Sequence, residues 1–177
     1  MGMQMAQVMK RPGRQSGMTL IEILVTVLVL AVGLLGMASL TVGSLKNNQG
    51  AFLRTQATIL AYDMADRMRS NTAEAISGSY DGATTNTAFT APSCGTSGCT
   101  GAQRVAADLL AWKQQLEGAN GSMAMLPGGV GTVSGGSGAT NAGTAFTITI
   151  TWKEDRWNES KDSISTEDQQ TVFEFTL

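Results

Sequence analysis

The sequence predicts an α+β fold: a long N-terminal helix, first apolar and then amphipathic, packed on a small antiparallel β-sheet domain. Three patterns carry this. Between Leu20 and Leu45 the only charged residue is Glu22, a run of about 26 residues or ~39 Å as helix. Beyond it Leu53, Ala57, Leu60, Met64 and Met68 step by four, three, four and four, which draws one stripe down a helix. Near the C-terminus, Phe146 to Trp152 alternates apolar and polar residues strictly, as a half-buried strand does.

The chain has 177 residues, room for one membrane segment and one small domain. Its net charge of −2 hides an asymmetry. Lys10, Arg11 and Arg14 stand before the apolar run with no acidic residue beside them. Of the 12 basic and 14 acidic side chains, nine and 14 follow residue 17, so the remainder is acidic and offers no nucleic-acid face. The chain has no His, which excludes Ser-His-Asp and Cys-His catalysis and the usual zinc ligand sets. There is no Ser-x-x-Lys pair either, and the carboxylates fall in surface-like stretches. No catalytic residues, metal site or cofactor are expected, so the chain reads as a non-enzyme.

Residues 1–17 form a basic, polar leader broken by Pro12-Gly13. A secretory signal is cut after its apolar region. Here Gly17, the plausible small-residue cleavage point, comes before that region, and cutting there leaves the helix on the mature protein. An uncleaved single-span anchor fits charge and hydropathy equally well. Either way the basic flank places the C-terminal part outside the cytoplasm.

Residues 18–45 are expected to span the bilayer. Glu22 lies one helical turn from Met18, close enough to neutralise an α-amino group there. Its plainer role is to complement the dipole at the helix start. Gly36, Ser39 and Gly43 share a face that lets another helix approach closely, while Gly33 and its neighbours loosen the helix. No proline falls between Pro12 and Pro92, so any bend rests on the glycines.

Residues 46–72 continue the helix in amphipathic form. Asn47-Asn48-Gln49-Gly50 is a weak point. Phe52 and Ile59 are expected to widen the apolar stripe, and the Met-rich stripe reads as core.

Residues 73–177 form the globular domain. Fourteen of the 21 glycines lie from Gly78 to Gly143, so its middle is loop-rich. Cys94 and Cys99 should pair in an oxidising compartment as a small-loop staple; free thiols or a two-sulfur metal site are the alternatives. A helix is predicted over Gln103–Glu117, ended by Gly118, with Val105, Leu109, Trp112 and Leu116 inward. Gly131-Thr132-Val133 opens the strand region, and Phe173, Phe175 and Leu177 alternate in its last strand. Lys153 to Gln170 is charged and mixed in sign and reads as a solvated hairpin loop. Trp157 within it either folds back onto the sheet or meets a partner. Asp155, Glu159 and Asp162 match no calcium-loop spacing.

Gly17-Met18-Thr19-Leu20-Ile21-Glu22, at a polar-to-apolar junction, resembles the type IV prepilin signal. Gly33-Leu34-Leu35-Gly36-Met37 looks like the minor pilin family PilV, the type IV pilus modification proteins, with looser patches at Asp108-x-x-x-Trp112, Leu126-Pro127-Gly128-Gly129 and the strand ending in Trp152. The resemblance implies a pilin-like fold, cleavage by prepilin peptidase between Gly17 and Met18, and N-methylation of Met18. It also implies a role for Glu22 in filament assembly, by pairing with a neighbour's N-terminal amine. The implied partners are other minor pilins, the major pilin, prepilin peptidase, the inner-membrane pilus assembly machinery and membrane lipid, with no nucleic acid. The implied location is the bacterial inner membrane, single-pass with the C-terminal domain in the periplasm, then the pilus (fimbrium) at the cell surface. The expected function is therefore that of a minor pilin incorporated in, or priming, a type IV pilus. A minor pseudopilin of a type II secretion system and a plain membrane-anchored periplasmic domain are the alternatives.

Overall fold

The computed structural model describes residues 17–118, 123–136, 143–158, 160 and 163–177, with the backbone alone at 157 and 158. Residues 1–16, the Trp157 side chain, Glu159 and Asp162, about which the sequence raised expectations, lie outside the described residues. The elements are α1 (Leu20–Ser70), α2 (Thr72–Ile76), α3 (Gly101–Glu117), β1 (Val130–Gly135), β2 (Ala145–Asn158) and β3 (Ser163–Thr176). The arrangement is α+β and pilin-like: a long apolar N-terminal helix with a small antiparallel sheet. Two compact units divide the chain, one ending at Gly43 and the other covering Ser44–Leu177.

α1 is 51 residues long and runs unbroken through Asn47–Gly50. Its buried residues are Gly50, Leu53, Ala57, Leu60, Ala61, Met64, Ala65 and Met68. The predicted stripe is therefore the inward face. Phe52 and Ile59 do not widen it; they are 58% and 51% exposed. At about 100° per residue both lie roughly 120–140° round from the stripe's middle. The residues that do widen it are small, Gly50, Ala61 and Ala65.

The sheet is a meander in the order β1-β2-β3, antiparallel throughout. β2 buries Phe146, Ile148, Ile150 and Trp152 and turns the intervening threonines the other way. Phe175 lies opposite Phe146 and Phe173 opposite Ile148. These residues, the α1 stripe, Tyr80, Leu126, Val133 and the inward residues of α3 form one apolar cluster. α3 begins with a capping box between Thr100 and Gln103, and Gly118 closes it at φ 81°.

Of the charged stretch Lys153–Gln170, residues 153–158 and 163–170 are strand rather than loop. β2 and β3 stay paired from Lys153 opposite Asp168 out to Asn158 opposite Ser163. The mixed charges serve this ribbon as cross-strand partners. Lys153 Nζ donates to Asp168 Oδ1 (3.2 Å), Arg156 Nη1 to Gln169 Oε1 (3.3 Å) and Thr166 Oγ1 to Asp155 Oδ1 (2.6 Å). A loop segment also joins the sheet's other edge. Thr85 N donates to Gly131 O (2.9 Å) and Gly131 N donates to Thr85 Oγ1 (3.0 Å), while Val133 N donates to Ala83 O (2.9 Å).

Candidate functional site in the N-terminal helix

Gly17, Met18 and Thr19 are exposed and non-helical, and α1 begins at Leu20. Glu22 is the acidic residue of the first turn. Its N–H donates to Thr19 O (3.0 Å) and, at the long end of the range, to Thr19 Oγ1 (3.4 Å). Thr19 therefore caps the helix and Glu22 sits at the third helical position, where a carboxylate faces the positive end of the dipole. The sequence signal for this cap is Thr-x-x-Glu before an apolar run, Thr19 to Glu22.

From Leu20 to Leu45 every residue is exposed. The helix is apolar and long enough to cross a membrane by length and composition. So large a continuous apolar surface calls for lipid or protein cover. Apart from the helix's own backbone, no atom of the described residues lies within 4 Å of where a Cβ would stand on Gly33, Gly36 or Gly43.

Past this stretch α1 presents a second apolar line. Leu45, Phe52 and Ile59 step by seven and remain exposed, opposite the face that builds the core.

The Asp108-x-x-x-Trp112 spacing on α3 serves the domain. Asp108 Oδ2 accepts from Tyr80 Oη (2.8 Å) and its Oδ1 from Arg67 Nη1 (3.5 Å). One turn later Trp112 Nε1 donates to Leu60 O (3.0 Å). α3 is thereby tied to α1 twice, and Arg67 also bonds Asp63 (2.8 Å). Burial opposes the charge on Arg67, and the two carboxylates outweigh it, so its pKa is raised. Burial pushes the Tyr80 phenol well above its usual value; the bond from Asn71 opposes the shift and the bond to Asp108 adds to it. Tyr80 and Asp108 are 28 residues apart, and neither carries a sequence signal for the other.

Cys94 and Cys99 form a disulfide beside the N-cap of α3. Among the described residues no group of three or more His, Cys, Asp or Glu could hold a metal.

Residues 12–38 match the family model described as the prokaryotic N-terminal methylation motif. It indicates a type IV pilin-like or pseudopilin-like protein. The match covers the Gly17–Glu22 junction and the exposed apolar run as far as residue 38. A motif of this kind implies processing by a prepilin peptidase and dealings with pilus-type components, and with the apolar helix it fits membrane anchoring. It suggests a structural protein rather than a catalyst. No curated protein and no solved structure matches the chain.

Proposed function

We propose that this chain is a minor pilin of the PilV kind, built into or priming a type IV pilus. The observation that carries the reading is the methylation motif over residues 12–38, which runs straight into a fully exposed apolar helix. Prepilin peptidase cuts between Gly17 and Met18 and removes the leader 1–17. Met18 is then N-methylated. Residues 18–45 hold the subunit in the inner membrane with residues 73–177 in the periplasm, until it enters the filament.

Assembly follows from the chemistry of the helix. A carboxylate within the bilayer costs about 2.5–3.5 kcal/mol at mid-depth on insertion scales. Pairing Glu22 with the α-amino group of a Met18 offsets part of that cost, and a neighbour's amine can serve in place of its own. The Leu45-Phe52-Ile59 line supports the same reading, because an exposed apolar line spaced by seven suits cover by a neighbouring helix. Other minor pilins and the major pilin are the partners, with the inner-membrane assembly machinery acting on the membrane-held subunit.

The same motif and fold plan also suit a minor pseudopilin of a type II secretion system. Shearing surface filaments from cells and identifying their subunits by mass spectrometry separates the two. This chain in sheared pili, lost when the pilus assembly ATPase is removed, supports the pilus. Its absence from pili, with loss of exoprotein secretion on deletion, would reassign it to secretion.

A further inference from the structure

A cavity of about 210 Å³ opens beside α1 at the polar end of the sheet. Glu154 follows Phe146, Ile148, Ile150 and Trp152 as the next inward residue of β2, so a carboxylate stands where the strand's alternation would place one more apolar side chain. Its side chain is only 11% exposed. One oxygen, Oε1, lies against Gly50, where a Cβ would overlap it. Arg156 Nε is 3.9 Å from Oε1. The other oxygen, Oε2, is buried and has no hydrogen-bond partner among the described residues. An unpaired buried carboxylate oxygen is costly, and such a group points to a partner that binds there.

Lys46 stands one helical turn before Gly50 on the same face of α1 and also lines the cavity. It makes no ion pair among the described residues. Lys153 and Asp155 also border the cavity, but as strand neighbours of Glu154 their side chains stand on the other face of β2, engaged with Asp168 and Thr166. One ammonium group and one buried carboxylate thus line the cavity, which suits a ligand carrying both signs rather than a simple anion or cation. The volume is far more than the roughly 10–15 Å³ that a single bridging water needs. Lys46 is also the residue that directly follows the apolar run ending at Leu45. In a membrane-anchored chain that is the depth of the lipid headgroups.

We propose that this cavity binds a phosphate–ammonium zwitterion of the phosphoethanolamine type. Lys46 takes the phosphate. Glu154 Oε2 accepts hydrogen bonds from the ammonium. A primary ammonium supplies those donors and a trimethylated one does not. The group comes either from a phosphatidylethanolamine headgroup or from a free phosphoethanolamine. Only the lipid source rests on the membrane reading above.

The test uses the full chain. In detergent, the thermal midpoint is followed against phosphoethanolamine, phosphocholine and inorganic phosphate, since a ligand that binds the folded state raises it. Phosphoethanolamine is expected to act at a concentration at least ~10-fold below the other two, a difference of about 1.4 kcal/mol. Glu154→Gln and Lys46→Gln should each abolish the response. Glu154→Gln removes a buried charge and should fold at least as well, and Gly50→Ala, which displaces the carboxylate, should behave like it. In nanodiscs of phosphatidylcholine, adding phosphatidylethanolamine should raise the midpoint more than equal phosphatidylglycerol if the source is lipid. A response to phosphoethanolamine without that lipid preference assigns the free compound as the source. Equal responses to phosphate and phosphoethanolamine, no response at all, or a response kept in Glu154→Gln and Lys46→Gln would overturn the proposal. Flotation of the chain with membranes is scored in parallel. Flotation without headgroup preference in either arm sinks the site and leaves the anchor. Binding without flotation sinks the anchor and leaves the site.

Discussion

Gly131 and Trp112 make the sharpest packing prediction. Three ring carbons of the Trp112 indole lie under 3 Å from where a Cβ on Gly131 would stand. Neither wall can yield cheaply. Trp112 is fully buried and its Nε1 is bonded to Leu60 O at 3.0 Å. Gly131 is bonded to Thr85 through both its N–H and its C=O. Gly131→Ala therefore overpacks a closed site, at about 1–3 kcal/mol. The indole must shift to make room, and the bond to Leu60 is lost as well, at about 1 kcal/mol. The expected total is ~2–4 kcal/mol. For a domain of this size each kcal/mol lowers the midpoint by roughly 3–5 °C, so a fall of about 10 °C is expected in thermal unfolding of the detergent-held chain followed by circular dichroism. Trp112→Phe removes the outer ring that the Cβ would meet. In that background Gly131→Ala should cost under ~1 kcal/mol, which makes the pair strongly non-additive. A single variant within ~0.5 kcal/mol of wild type, or additive costs in the double variant, would refute the reasoning.

Other outcomes follow from the same structure. Phe52→Asp with Ile59→Asp should leave the thermal midpoint almost unchanged, because both side chains are exposed, yet abolish recovery of the subunit in sheared filaments. Replacing Cys94 and Cys99 by Ser should cost at most about 2 kcal/mol, as expected for so short a disulfide loop, measured by urea unfolding. The Tyr80 phenol titrates higher in the folded chain than its ordinary value of 10.0. Its contribution is therefore complete below pH 10 and is lost as pH rises beyond it, so stability should sag in strong alkali. Tyr80→Phe should reduce that slope while costing about 1 kcal/mol at neutral pH through the lost bond to Asp108.

What could be read in the sequence was what periodicity carries. The steps of Leu53, Ala57, Leu60, Met64 and Met68 name the buried face of α1, and the alternation from Phe146 to Trp152 names a strand and its inner side. Phe52 and Ile59 look like core residues by their chemistry, but their angle on the helix turns them away from it. The charge of Lys153–Gln170 suggests a solvated loop, and charge alone does not exclude a strand. In a ribbon whose charged residues pair across strands, charge is compatible with regular structure. The Tyr80–Asp108–Arg67 brace and the Thr85–Gly131 pairing join residues 28, 41 and 46 apart. No local pattern encodes contacts at such separations. At the candidate site the Gly17–Glu22 junction was plain from its residues, and the cap at Thr19 was visible in the same six letters. Glu154 was hidden because its meaning depends on Gly50 and Lys46, which a different element brings beside it.

The central claim is that this chain is cut before its apolar helix and keeps that helix as a filament subunit. The direct test is the mass of its N-terminus, taken from cells with and without prepilin peptidase. The account predicts a chain that starts at Met18 and is heavier by one methyl group, replaced by the longer form when the peptidase is absent. A chain that keeps residues 1–17 in both strains would contradict it, and the protein would be a plain membrane-anchored domain.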